Sequence, residues 1–369
     1  MRIDADRVYV YRVSIDSNCA PKERYRELAY DALSRLDLGV PEEGRILLKP
    51  NLTVLWEADR RVITHPGFVS GILDVLLERG AAGDRITVGD GASGERPDRG
   101  AGWEISGYKE AMDPFGVTAK TLTGEEARWL EVPGGVVYEK YPVYREVTDC
   151  ALFINLPLAK CHNLVCTTLA IKNLMGTLDR PERHLCTVQE VDKPYETELW
   201  RLTDSGLSLH EERFCHKLAD LVSVHRTLPM PRLNVIDGLI GRDGTAFNEG
   251  DNHPLGWTVI GVNEVHVDTV GSYLMGLDST AMPYLKVASE RGLGTNRLEE
   301  IEIVDLATGE VLDTEGLEAH RSGRVLMPIC RYSDGYYDRL RADGSVVPWR
   351  IDAVNKQREE DGLEPVPVT

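Results

Sequence analysis

The sequence predicts an α/β protein: a mostly parallel sheet flanked by helices, then a second α/β lobe and a C-terminal extension. Three observations predict it. Short aliphatic and β-branched runs alternate with stretches of helical periodicity, the pattern of βαβ units. Each run ends in a Gly-, Pro- or polar-rich turn. Of the 369 residues, 42% are apolar, enough to fill an interior without disulfides or structural metal.

Taken in order, residues 7–12 (RVYVYR) are the first expected strand. Residues 21–37, rich in Glu, Arg, Ala and Leu, are an expected helix closing near Gly39. Residues 45–48 (RILL) are the second strand. Residues 66–79 form a helix, with Thr64 and His65 at its entry, Pro66 in its first turn and Gly80 at its exit. Val69, Ile72, Leu73, Leu76 and Leu77 make its apolar face. Residues 85–88 (RITV) and 151–156 (ALFINL) are buried strands. Residues 165–175 fit a helix or a strand. A helix separates His162 from Lys172 by about 15 Å and a strand by about 33 Å, so one pocket holding both calls for the helix. Residues 180–209 are polar and weakly periodic, a surface loop or short helical insertion carrying Arg183 and His184. Residues 214–224 are helical, 233–236 (LNVI) and 257–262 (WTVIGV) are strands, 266–275 a helix and 301–305 a last strand. The expected division is an N-terminal α/β lobe over 1–180, an insertion and second lobe over 181–322, and an extension over 323–369 bearing Tyr332, Tyr336, Tyr337 and Trp349.

Lys and Arg number 42 against 60 Asp and Glu, a net charge of −18. Such a surface repels phosphate backbones and anionic leaflets, so nucleic-acid and membrane partners are not expected. No apolar run reaches the about 18 residues a spanning helix needs, and the start, MRIDADRVYVYR, lacks the apolar stretch of a secretion signal. The seven cysteines are scattered, with no CxxC pair. They read as reduced core residues in a cytoplasmic protein, and no iron–sulfur cluster is expected.

In open α/β sheets, ligands sit beyond the carboxyl ends of the strands. Here four strand ends run into unusual residues: Lys49-Pro50-Asn51, Gly89-Asp90-Gly91, Lys160-Cys161-His162 and Asp237-Gly238. Lys49 and Lys160 supply charge and N–H donors for an anion, with Asn51 adding neutral polar groups. The Gly89–Gly94 loop, with Ser93, offers backbone N–H groups for an anion, or an acidic turn placing Asp90 near a metal. No P-loop, HExxH zinc helix or GxSxG nucleophile turn is present. A neutral imidazole at His162, beside ammonium groups, acts as an acid or base near pH 7. A divalent metal on His65, Asp90 and Asp237 stays open.

The segments LLKPNL (47–52), THP (64–66), INLPLAKCHN (154–163), AIKNLMG (170–176), VIDGLIGRDG (235–244) and VHVDTVGSYLMGLD (265–278), in that order, resemble the domain of unknown function 362 family over roughly residues 40 to 300. The resemblance implies site residues at Lys49, Asn51, His65, Lys160, His162, Lys172, Asn173 and Asp237. The sequence differs from that pattern at Cys161, where a small hydroxyl residue is expected, and at RDGTAFNEG after Gly241.

The expected function is an enzyme doing isomerase, racemase or lyase chemistry on a small carboxylate- or phosphate-bearing metabolite. Lys160, His162 and His65 are its catalytic candidates, and Lys49, Asn51, Lys172, Asn173 and Ser93 its substrate-binding ones. The alternative is a non-catalytic anion- or metal-binding accessory protein working with a redox partner.

Overall fold

The computed structural model describes residues 1–91, 101–123, 127–162, 164–179, 185–186, 207, 209–244 and 250–328, with Glu359 and Gly362. Its strands are β1 (Arg7–Arg12), β2 (Arg45–Pro50), β3 (Ile86–Asp90), β4 (Thr118–Thr121), β5 (Arg128–Glu131), β6 (Lys140–Val143), β7 (Cys150–Leu156), β8 (Leu158–His162), β9 (Cys166–Thr168), β10 (Arg232–Arg242), β11 (Asn252–Gly261), β12 (Glu302–Asp305) and β13 (Val311–Leu312). The longer helices are α1 (Lys22–Ser34), α2 (Pro66–Glu78), α7 (Leu209–Arg226), α8 (Glu264–Leu274) and α9 (Pro283–Glu290). Shorter ones are α3 (Gly102–Ile105), α4 (Tyr108–Met112), α5 (Arg145–Thr148), α6 (Ala170–Asn173) and α10 (Thr314–Glu318).

Among the described residues, eleven strands make one mixed sheet in the order β13-β12-β1-β11-β10-β7-β2-β3-β4, with β8 pairing β10 and β9 beside this path. β10, β7, β2, β3 and β4 are parallel neighbours, and the antiparallel β11 joins them to β1. The α/β architecture is therefore present, with helices on both faces. Alternate residues of one strand enter different cores, as a sheet covered on both faces requires. Ile46, Leu48, Leu152 and Ile154 pack with α1 and α2, while Leu47 and Phe153 pack on the other face with α7, α8 and α9. Strands from both sides of residue 180 build this sheet, so the two expected lobes meet in it. Most of the expected insertion and tail lie outside the described residues. Where the tail begins, Leu326 and Met327 are buried, and Leu326 N donates to Met275 O. Among the described residues no helix is long and apolar enough to cross a membrane.

Three local differences from the expected elements matter for the site. First, β2 and β3 run on to include Lys49 and Asp90. Second, β10 continues through the Gly238 region, which reads in sequence as a turn. The register shifts between Gly238 and Ile240, and a Cβ on Gly238 would lie 2.2 Å from Trp257 Cε3, so the ring occupies the space of the missing side chain. Third, residues 165–175 are neither one helix nor one strand. β9 pairs back antiparallel on β8, with His162 opposite Cys166 and Lys160 opposite Thr168, and α6 follows. This hairpin, rather than the expected helix, returns Lys172 toward His162.

Candidate functional site

Lys49, Asn155 and Asn234 stand level on β2, β7 and β10, in register and fully buried or nearly so. α6 lays Asn173 against them. Asn173 Nδ2 donates to Lys49 O and Asn155 Oδ1 (3.2 and 2.8 Å), and Asn155 Nδ2 donates to Asn234 Oδ1 (2.8 Å). Lys49 Nζ reaches Asp90 Oδ1 at 2.8 Å, Asn173 Oδ1 at 3.0 Å and Pro50 O at 3.1 Å. Three acceptors, one a carboxylate, use all three N–H groups of an ammonium. Burial lowers the Lys49 pKa and raises that of Asp90, and each charge opposes the shift of the other. Leu52 N donates to the second Asp90 oxygen at 2.7 Å. A Cβ at Gly176 would lie 1.8 Å from Asp90 Oδ1, so glycine there lets the chain close over the pair.

Lys160 is held differently. Its Nζ donates to Asn51 Oδ1 (3.0 Å) and Val62 O (2.7 Å), both neutral, and no carboxylate lies within ion-pair distance among the described residues. Two acceptors match the two N–H groups of a neutral amine and leave its lone pair in the remaining direction. Burial, then the charges of Lys172 and Arg242, push its pKa well down. Across the hairpin, the Thr168 hydroxyl is buried without a partner among the described residues. His162 Nδ1 accepts from Leu164 N (3.1 Å), and burial with Lys172 and Lys160 pushes the imidazole pKa well down. The ring is therefore neutral, with its proton on Nε2, a hydrogen-bond donor. Lys172 is half-buried, and its side chain makes no hydrogen bond or ion pair among the described residues. Asn51 also donates to Asn173 Oδ1 (2.9 Å), joining the Lys160 group to the Lys49 row.

His65 and Asp237 belong to a neighbouring group. His65 caps α2, its Nδ1 accepting from Gly67 N (3.1 Å), and its own N–H donates to Asp237 Oδ2 (3.0 Å). Burial drops the His65 pKa to about 3 and lifts that of Asp237 to about 7. The ring stacks on Tyr25, centroids 3.9 Å apart, and the Arg61 guanidinium stands 4.9 Å from the Tyr25 centroid. Sequence reasoning missed Tyr25, Arg61, Asn155, Asn234 and Thr168. One signal was available for the amides: Asn155 interrupts an otherwise apolar strand. Arg61 and Cys166 are the non-glycine residues with positive φ among the described ones, at 57° and 74°, and both lie at this edge.

The structure thus gathers Lys49, Asn51, Lys160, His162, Lys172 and Asn173, with Asp90 paired to Lys49, and places His65 and Asp237 beside them. Ser93, Arg183 and His184 lie outside the described residues. The expected metal set does not assemble: Asp90 faces Lys49, Asp237 faces His65 N, and no group of three or more His, Cys, Asp or Glu is placed to hold a metal ion among the described residues. Residues 89–94 also spell G-x-G-x-x-G. Packing explains two of its glycines: a Cβ would lie 2.8 Å from Lys120 O at Gly89 and 2.6 Å from Tyr144 Cε2 at Gly91.

This is an α/β protein with a buried, cation-rich polar site at the carboxyl ends of its parallel strands. The chain belongs to the family described as Domain of unknown function (DUF362), which matches residues 46–273. It is similar to a thylakoid-associated protein of Synechocystis sp., 24% identical over 256 residues, covering 69% of this chain and 70% of that one. A crystal structure of a Thermotoga maritima protein aligns with a TM-score of 0.37 at 12% identity. That alignment covers 65% of this chain and spans just over half, 55%, of the other.

Proposed function

We propose that the protein is an enzyme that moves a proton next to a carbonyl in a small carboxylate- or phosphate-bearing substrate, as an isomerase, racemase or lyase does. The observation that carries this reading is Lys160: a buried lysine bonded to two neutral acceptors, with no carboxylate partner among the described residues, beside other cations. Desolvation and neighbouring charge keep such an amine neutral, and a neutral amine is a base. Lys160 takes the proton from carbon. His162, donating from Nε2, stabilises the oxygen on which negative charge develops, a hydrogen-bond donor role in place of the acid/base role expected from the sequence. The Lys172 side chain and the Thr168 hydroxyl, both without hydrogen-bond partners among the described residues, hold the anionic group. Lys49, Asn51 and Asn173 are engaged with one another and fix Lys160 and α6 in place. The protonated Lys160 then returns its proton to the product or to the leaving group. The six described cysteines are free, which supports a cytoplasmic setting.

The test does not depend on the identity of the substrate. The protein is incubated in D2O with a panel of small 2-oxo, 2-hydroxy and phosphorylated acids, and proton NMR follows loss of the C–H signal. The expected result is exchange in a member of the panel, abolished in Lys160→Met and slowed about 10²–10³-fold in His162→Gln. Exchange at the wild-type rate in Lys160→Met, or in no member of the panel, overturns the reading.

A further inference from the structure

We infer that Arg61, Tyr25 and His65 form a second binding site, for the carboxylate or phosphate group of a small molecule, separate from the Lys160 cluster. Arg61 is 1% exposed, yet no buried carboxylate ion-pairs with it among the described residues. Its ion-pair partner, Asp59, stands 3.3 Å away with a side chain 83% exposed, where water screens the attraction. The remaining guanidinium contacts are the carbonyls of Ala58 (3.1 Å) and Ala20 (3.5 Å). Among the described residues, Arg61 Nε is buried and bonds to nothing, and so is the Tyr25 hydroxyl. With His65 Nδ1 accepting from Gly67 N, the neutral ring carries its proton on Nε2, which donates to no described residue. One stack of rings and guanidinium therefore gathers three kinds of donor, Nε–H, O–H and imidazole N–H, that lack an acceptor.

Buried donors without acceptors destabilise a fold unless something else supplies the acceptor. The backbone points the same way. Arg61 sits at φ 57°, where glycine would hold the turn without strain, so it is the side chain that calls for arginine. A guanidinium Nε–H beside an Nη–H is a fork that matches two oxygens of a carboxylate or phosphate. Tyr25 and His65 add neutral donors to the same anion. Asp237, the acid of this group, is turned to His65 N.

The experiment is calorimetric titration of the full chain with inorganic phosphate and, in parallel, with malonate. It compares wild type, Tyr25→Phe, Arg61→Gln and Lys160→Met. The tighter of the two probes names the oxyanion. The expected result is saturable binding weakened about 3- to 10-fold in Tyr25→Phe, more than about tenfold in Arg61→Gln, and by less than about twofold in Lys160→Met. Without ligand, Tyr25→Phe is expected to melt at or above the wild-type temperature, because it loses only an orphaned hydroxyl. A hydroxyl that served the fold alone would instead lower the melting temperature and leave binding unchanged. Affinity unchanged in both Tyr25→Phe and Arg61→Gln overturns the inference, as does an absence of saturable binding. Binding lost only in Lys160→Met assigns the anion to the lysine cluster, and the inference falls while the proposed function stands.

Discussion

Lys49 and Lys160 rise from strands at the same edge of the sheet, yet their acceptors give them different chemistry. Lys49 faces a buried carboxylate, so removing its charge strands Asp90 in the interior. Lys49→Met is expected to lower stability by about 3–5 kcal/mol, and the Lys49→Met/Asp90→Asn double variant by clearly less than the two single changes summed. Lys160→Met loses two hydrogen bonds to neutral acceptors and strands no charge, an expected cost of about 1–3 kcal/mol. Urea unfolding of the four variants checks all of this. Asp237 carries a pH signature. Its folded-state pKa is raised to about 7 from an ordinary 3.8. Below about pH 4 it is protonated in both states and its contribution is complete. Between pH 4 and 7 the unfolded chain ionises first, so that contribution is lost as pH rises. Asp237→Asn removes this slope, and its stability relative to wild type is expected to climb between pH 4 and 7 by on the order of a few kcal/mol. His65, with its pKa depressed to about 3, slopes the opposite way below pH 6.5, and the comparison at each pH cancels it to first order. Polar residues at strand ends made Lys49, Lys160 and Asp237 legible in the sequence. Tyr25 and Arg61 were not, because the first sits on the buried face of a helix and the second in a loop with no pattern to mark it.

Among the elements, the β8–β9 hairpin and α6 bring the site together, and Asp268 on α8 secures them. Its carboxylate accepts from Ala170 N (2.6 Å) and Ile171 N (3.0 Å), the first amides of α6, and from Tyr284 OH (3.2 Å), which in turn meets the Thr167 hydroxyl at 2.8 Å. Lys172 and Asn173 follow in the same turn. Asp268→Ala is expected to cost about 2–4 kcal/mol. It should also raise amide exchange at Ala170 and Ile171 by at least about tenfold, leaving the β1–β11 amides unchanged. Equal protection in wild type and variant would show that α6 is held by its packing alone. Periodicity made α1, α2, β1 and β7 readable, since each has an apolar pattern longer than a single turn. β9 has three residues and begins at Cys166 with φ 74°, a reversal that sequence patterns normally signal with glycine.

Across the whole molecule, two cores share one sheet, so neither has a wall of its own. Loss of β10 or β7 would open both faces together. We expect a single unfolding transition for the described body, with far-UV circular dichroism and the fluorescence of buried Trp257 coinciding through a urea titration. Separate midpoints would show that residues 1–180 and 181–322 fold independently. The sequence displayed the alternation of strands and helices but not this sharing, because pairings such as β1 with β11 and β12 join residues about 250 and 295 apart.

That pairing also orders events on the ribosome. β11 is synthesised about 250 residues after β1, and β12 about 295 residues after it. At about 5–20 residues per second, Val8, Tyr9 and Val10 leave the exit tunnel roughly 12–50 s before β11 exists to receive them. During that interval the nascent chain carries an apolar strand with no sheet to join. A chain arrested before residue 250 should keep β1 open to proteases and to chaperones, even where β2, β3, β4 and β7 have already assembled.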